Sequence, residues 1–311
     1  MADATVSRLG MSNATGADDA LFLKKWSGEV ATLFDEKNVF LPLTRVRTVS
    51  GTNSAQFPII GNAAAYYHTP GQDLQGQLIK HAQRTITIDR LLVSPVYIPK
   101  IDEAKNHYDV RSIYAAKCAA SLAIKADKTI AQLLVNAARS ANAITDAAGG
   151  TVLKKTTFAT SSDDLLQGIW DIARIFDEKD VDEDGRHIAV RPLQYYGLAQ
   201  NTKVLNKDWG GAGAYAEGNV IKVANVTIVK SNHLPITNVT DGEQAAYNGD
   251  FTNTVAVGFT ADAVGTVKLL DLASEGEWKI EKQATLMVSK YAMGHGVLRA
   301  EAAVELSKAA S

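Results

Sequence analysis

The sequence predicts an α+β fold in which a long polar β-hairpin, one overlong helix and a mixed α/β domain follow one another. Three observations predict it. Two alternating segments, 44–50 and 85–89, flank a long polar excursion and read as strands. Apolar residues then recur every four positions or close to it through residues 109–139, with no Gly or Pro inside. After Ser162, helical and strand patterns alternate, as in a mixed α/β domain.

Residues 1–18 are small and polar and read as a tail. Asp18 or Asp19 is a good cap for a helix running to about residue 36. Its Phe22, Trp26, Val30, Leu33 and Phe34 fall on one face. A stripe holding both Trp and Phe wants a large partner surface, and nothing adjacent in sequence supplies one. The helix is therefore expected either to dock at a distance or to pack as an ordinary terminal helix. Between the two strands lie His68-Thr-Pro-Gly71 and then Gln72-Asp-Leu-Gln-Gly-Gln77. Pro70-Gly71 is a turn signal, and too few apolar residues surround it to make a core. Connections in compact domains usually run ~4–6 residues, so an excursion this long is expected to touch something beyond its own domain.

Residues 102–106 read as one turn before Asp109, which caps the long helix. Val110, Tyr114, Cys118, Leu122, Ala126, Ile130, Leu134 and Ala137 form its stripe. Over 109–139 it would be ~45 Å long at ~1.5 Å per residue. Residues 145–160 are loose and Gly-containing, a candidate boundary. A second helix starts at Ser162 and carries Leu165, Leu166, Ile169, Trp170, Ile172, Ala173 and Phe176. A strand (187–191), a short helix (192–199), a Gly-rich loop (209–218) and a strand (220–229) follow. Later strands fit 254–259, 265–270 and 278–291, and no internal repeat is visible.

At 311 residues the chain can bury a substantial core, and 46% hydrophobic with 21% charged residues is ordinary for a folded protein. No apolar run approaches the ~20 residues of a membrane span. The polar N-terminus lacks the basic-then-apolar layout of a signal peptide. A cytosolic origin is expected, and the Asn-x-Thr triplets at Asn13, Asn225 and Asn238 then carry no glycosylation meaning. Cys118 is the only cysteine, which excludes an intrachain disulfide and a multi-Cys zinc site. It reads as a small buried hydrophobe. A net charge of −2 argues against a dedicated nucleic-acid binder, though not against a protein that borders nucleic acid.

The strongest metal-like pattern is Asp177-Glu-Lys-Asp-Val-Asp-Glu-Asp-Gly185, whose Asp180, Asp182, Asp184 and Gly185 match the opening of an EF-hand loop. Arg191 stands where the bidentate Glu should be, and a strand follows instead of a helix, so a solvated acidic turn is expected. Six histidines, at 68, 81, 107, 187, 233 and 295, are scattered without His-x-x-x-His spacing. Gly210-Gly-Ala-Gly213 lacks the Lys-Ser/Thr of a phosphate loop, and no nucleophile elbow is present. No catalytic, cofactor-binding or metal residue is assigned.

Several of these unusual segments match one family's pattern in order. They are Gly28-Glu-Val30, Ser54-Ala-Gln-Phe-Pro58, Ala64-Ala-Tyr-Tyr with Pro70-Gly71 and Leu74, Ile79-Lys-His81, Ile86-Thr-Ile-Asp89 and Asn106-His-Tyr-Asp-Val-Arg-Ser112. Toward the C-terminus come Val264-Gly-Thr-Val-Lys-Leu269, Asp271-Leu-Ala273, Tyr291-Ala-Met-Gly-His-Gly296, Leu298-Arg299 and Glu301-Ala-Ala303. The chain resembles the major capsid proteins of T-seven-like podoviruses over roughly residues 20–112 and 262–303, while 145–260 departs from their pattern. The resemblance implies the Hong Kong 97-type capsid fold of short-tailed bacteriophages. Its parts would be an N-terminal arm (1–50) and an E-loop hairpin (51–92). A peripheral P-domain (93–148) around a spine helix (109–139), an axial A-domain (149–275) and a C-terminal return to the P-domain (276–311) would follow.

The implied function is non-enzymatic: self-assembly as hexamers and pentamers into an icosahedral shell around double-stranded DNA. Inter-subunit contact is expected at the E-loop tip, through Pro70, Gly71, Asp73, Leu74, Gln77 and Lys80. Packing of the arm is expected through Phe22, Trp26, Val30 and Phe34. Implied partners are other copies, a separate scaffolding protein, a portal protein at one vertex and a decoration protein, with packaged DNA close by and no membrane. Assembly in the host bacterial cytoplasm and residence in the virion follow. An encapsulin-type nanocompartment shell protein of the same fold is the rival reading, and an α/β enzyme with a polar lid loop is a more distant one.

Overall fold

The computed structural model describes residues 39–61, 63, 65–74, 76–101, 111–144, 147–201 and 222–309. The helix expected before residue 36, with Phe22, Trp26, Val30 and Phe34, lies outside the described residues, as do 102–110 and the Gly-rich loop 209–218. Two units divide the chain. The smaller gathers Asp89–Ala126 and Leu269–Met293, the larger Val39–Ile88, Asp127–Lys268 and Gly294–Ser311.

The larger unit is built on a six-stranded sheet. Its strands are β5 (Thr151–Lys154), β6 (His187–Val190), β7 (Lys222–Val223), β8 (Val226–Lys230), β11 (Thr254–Phe259) and β14 (Ala303–Ser307), in the order β5-β14-β11-β6-β8-β7. A small ladder of β9 (Asn238–Val239) and β10 (Gly249–Asp250) stands apart. Every residue of β11, Thr-Val-Ala-Val-Gly-Phe, is buried, because helices cover both faces of the sheet. The long helix α1 (Arg111–Arg139) supplies one cover: Ile130, Leu133, Leu134 and Ala137 pack with Ala189, Val257, Phe259 and Ala303. Helices α2 (Ser162–Glu178) and α3 (Pro192–Ala199) supply the other. Leu165, Ile169, Ile172, Phe176 and Leu198 meet Ile188, Val190, Ile228, Val304 and Leu306 there. Ser161 caps α2, its hydroxyl accepting from the Asp164 N–H. A Cβ on Gly258 would stand 2.7 Å from Ile172 Cγ2, so glycine is what lets α2 approach the central strand this closely.

Strand alternation puts one charge inside. Ala303 and Glu305 face α1 while Val304 and Leu306 face α2, and Glu305 is fully buried. The last turn of α1 answers it: Arg139 donates from Nε (2.6 Å) and an Nη (2.7 Å) to the two carboxylate oxygens, and Thr254 Oγ1 adds a third bond. Further along the helix Asp127, also fully buried, accepts from the Val39 and Phe40 N–H groups and from His233 Nδ1 at 3.0 Å. One helical carboxylate thus fixes where the described chain enters the fold. His295 is buried between Thr266 Oγ1 (2.9 Å from Nδ1) and Tyr247, whose hydroxyl bridges the His295 backbone. Burial pushes its pKa down to about 4.

The smaller unit joins β4 (Leu92–Pro99) antiparallel to β13 (Ala284–Val297), with β12 (Val264–Lys279) beside β13. Leu122 and Ala126 of α1 pack on Tyr291, Met293 and Leu92 within it. Cys118 is buried, as its setting predicts. Within the larger unit β1 (Arg45–Thr48) runs parallel to the start of β12.

Several sequence expectations need correction. The strand read over 278–291 is broken: β12 continues to Lys279, a 3-10 turn spans Ile280–Lys282, and Gln283 takes a left-handed conformation (φ +47°) before β13. The turn carries neither Gly nor Pro, which hid it. Likewise the strand expected over 220–229 is, in its described part, a two-strand hairpin of β7 and β8 turning on Ala224 and Asn225, both at positive φ. The loose stretch 145–160 contains β5, which closes the sheet edge by parallel pairing with β14.

Two expectations follow. Arg139→Ala strands a buried carboxylate and should lower subunit stability by about 3–5 kcal/mol, whereas replacing Arg139 and Glu305 together by Met and Leu should recover most of it in urea unfolding. Because the folded-state pKa of His295 lies below the ordinary value of 6.5, the unfolded chain binds the proton more readily. Its contribution is therefore complete above pH 6.5 and lost as pH falls toward 4. The loss is on the order of 3 kcal/mol and should be missing from the pH dependence of melting in His295→Gln.

Candidate inter-subunit contact surface

Strands β2 (Ser54–Ile60) and β3 (His81–Thr87) pair antiparallel from Ser54↔Thr87 to Ile60↔His81 and form a two-stranded sheet of their own. Alternation sets one face inward: Ala55, Phe57 and Ile86 pack with Val267 and Leu298, while Gln56, Pro58 and Ile60 point out. Pro58 is tolerated because a two-stranded sheet has only edge strands. Arg47 lies over the Phe57 ring at 5.9 Å and donates to the Gln56 carbonyl at 3.1 Å.

The connection from β2 to β3 runs through residues 61–80 and contains no strand or helix among its described residues. Its base is closed by the Gly61 N–H donating to the Lys80 carbonyl at 2.9 Å. Thr69–Gln72 form a turn with Pro70 at its second position and Gly71 at φ +90°, and the Gln72 N–H donates to the Thr69 carbonyl. That is the type II geometry, which demands the glycine. Pro70, Gly71, Asp73, Leu74, Gln77 and Lys80, the residues expected at the contact tip, are all exposed in the single chain.

The exposed apolar side chains decide what this surface is. Tyr67 is fully exposed, Leu78 is 89% exposed and Leu74 76%. Burying a Leu is worth about 1.5–3 kcal/mol, and a two-stranded hairpin is marginal on its own, so three such side chains in water form an apolar surface from which stabilisation is still to be gained. Beneath it a cavity of about 580 Å³ is lined by Ile59, Leu78, Lys80, Ile144, Lys179 and Glu301 among others. Lys179 donates to the Gly149 carbonyl at 2.7 Å, and burial holds its pKa below the ordinary lysine value. Glu301 accepts from Asn142 and from Arg299.

The acidic segment 177–185 runs from the last residues of α2 into a turn knit around a buried cation. Arg186 is 3% exposed and donates to Asp177 and to the Val181 and Asp182 carbonyls. No group of three or more His, Cys, Asp or Glu among the described residues is placed to hold a metal ion. The buried Asp127–His233 pair and His295 were equally silent in the sequence, since lone His and Asp residues carry no spacing signal.

Known proteins match this chain along nearly its whole length. A family described as Gp10A-like: Major capsid protein matches residues 56–307, running straight through the segment 145–260 that departs from the podovirus pattern by eye. The chain is 33% identical to the major capsid protein of Escherichia phage T7, over 93% of this chain and 92% of that one. It is 33% identical to that of Enterobacteria phage T3, over 91% and 90%. Among solved structures, the capsid of the cyanophage P-SCSP1u superposes with a TM-score of 0.85 at 43% identity, covering 100% of both chains. The mature capsid of bacteriophage PhiM1 gives 0.76 at 19% identity, covering 97% and 96%, which speaks for the fold alone. The fold is the Hong Kong 97-type capsid fold. By matched length and identity together, this chain belongs to the Gp10A-like family of phage major capsid proteins.

Proposed function

We propose that this chain is the building block of an icosahedral phage head, assembling as hexamers and pentamers into the shell that encloses the double-stranded DNA genome. The observation that carries the reading is 33% identity to a phage major capsid protein over nine-tenths of both chains. The exposed apolar hairpin is the physical counterpart: a surface that one copy cannot bury and a neighbour can. Hairpin 51–92 is then the E-loop, and Pro70, Gly71, Asp73, Leu74, Gln77 and Lys80 touch the next subunit. Phe22, Trp26, Val30 and Phe34 pack the arm. The domain boundaries of the capsid reading stand with it: P-domain 93–148, A-domain 149–275 and C-terminal return 276–311.

The mechanism is assembly physics. Head-to-tail contacts between unlike patches close into rings, and each contact can be weak because a closed shell engages many at once. A near-neutral chain suits a wall that borders DNA without gripping it. Assembly takes place in the host cytoplasm on a separate scaffolding protein, with a portal at one vertex and room for a decoration protein, and the product is the virion shell. The reading needs no cofactor and no catalytic residue.

Replacing residues 62–79 by a two-residue Asn-Gly turn should leave the subunit folded, with unchanged far-ultraviolet circular dichroism, and abolish closed shells in electron micrographs. Normal shells from that variant would sink the hairpin's role.

A further inference from the structure

A second cleft, distinct from the hairpin's connecting segment, holds a cation with no counter-charge. It encloses about 480 Å³, and Arg84 of β3, Asn136, Arg139 and Ser140 at the end of α1, and Asn248 line it. The donors in it are nearly all spent. Asn136 Nδ2 donates to the Ala246 and Asn248 carbonyls, and Ser140 Oγ to the Asn136 carbonyl. Arg139 is engaged by Glu305, Thr254 and the Asp250 carbonyl. Arg84 is the exception. Its Nε is buried and has no hydrogen-bond partner, and no Asp or Glu lines the cleft among the described residues. With a small shift of the side chain that opens its Nε edge to the cleft, the Nε–H and an Nη–H form the side-on fork that a carboxylate fills with two parallel bonds. A buried donor left unmade costs about 1–3 kcal/mol, so the site favours an occupant.

The same unit carries the complementary group. In the acidic segment 177–185, Asp177 pairs with Arg186 and Glu178 with Arg174, but Asp180, Asp182, Glu183 and Asp184 have no side-chain partner among the described residues. Among the described residues no hydrogen bond or ion pair joins this segment to Arg84 within one copy. We propose that the Arg84 cleft is a carboxylate site filled, in the assembled shell, by Asp182 or Glu183 of a neighbouring copy. This rests on the self-assembly reading and gives it a specific head-to-tail contact: two unlike patches on one chain, each satisfied only by the next, which is the arrangement that closes a ring. Asp180 is a weaker candidate because its own backbone is held at positive φ.

The test is a charge reversal in the full-length chain, with the wild type assembled in parallel. Arg84→Glu and the pair Asp182→Lys/Glu183→Lys should each cut shell yield by about tenfold or more, and the three changes together should restore it to within about threefold. Arg84→Gln, which keeps the shape and loses the charge, should fall between, and circular dichroism of each subunit separates lost assembly from lost folding. Wild-type yield from Arg84→Glu, or no rescue by the triple variant, overturns the contact while leaving the shell reading intact. Absence of shells from the wild type co-expressed with its scaffolding protein overturns the shell reading, and the contact with it.

Discussion

A surface that its own chain cannot cover is the constraint on which the rest of this structure turns. Tyr67, Leu74 and Leu78 stand in water on a connection that springs from a packed base, where Phe57 and Ile86 meet Val267 and Leu298. Such a cluster costs solubility in a free subunit, and on the self-assembly reading proposed above a neighbouring copy takes it up. Everything beneath the hairpin serves to hold it in one place. The six-stranded sheet is covered on both faces, and its buried Ile, Leu and Phe residues supply far more stabilisation than any exposed contact. The hairpin can stay uncovered because the core beneath it does not depend on it.

That core is also fixed in register by polar groups inside it. Glu305 on β14 meets Arg139 at the last turn of α1, and Asp127 in the same helix gathers the Val39 and Phe40 amides and His233. Each joins segments far apart in sequence, at geometry an apolar contact would not demand. Such pairs add little net stability over apolar packing, but an error of one residue would strand a charge. For a subunit whose surfaces must match copies of itself, a single arrangement matters more than the last increment of stability.

How much of this was legible depends on whether the signal was local. The long helix declared itself because Cys118, Leu122, Ala126, Ile130 and Leu134 keep a four-residue step that Ala137 closes with one of three, and all six are buried. The strand 254–259 and the helix 192–199 were readable to the residue, from a continuous apolar run and an N1 proline. The hairpin was legible as an overlong polar excursion, though its pairing from Ser54 to Ile60 was not, since Pro58 speaks against a strand. The breaks at 280–283 and 224–225 were hidden because Gln283, Ala224 and Asn225 adopt positive φ where glycine would have announced it. The partners of Asp127, His233 and Arg186 are set by tertiary placement, and no spacing in the chain encodes them.

The central claim is that residues 61–80 are left bare by their own chain and covered by a neighbour. Amide hydrogen exchange, followed by mass spectrometry on purified subunits and on closed shells of the same protein, tests it most directly. The account predicts peptides spanning 65–80 that exchange freely in the subunit and slow markedly in the shell, while those from β11 and α1 are slow in both. Equal, fast exchange of 65–80 in the two states would mean that no neighbour covers the hairpin, and would contradict the claim.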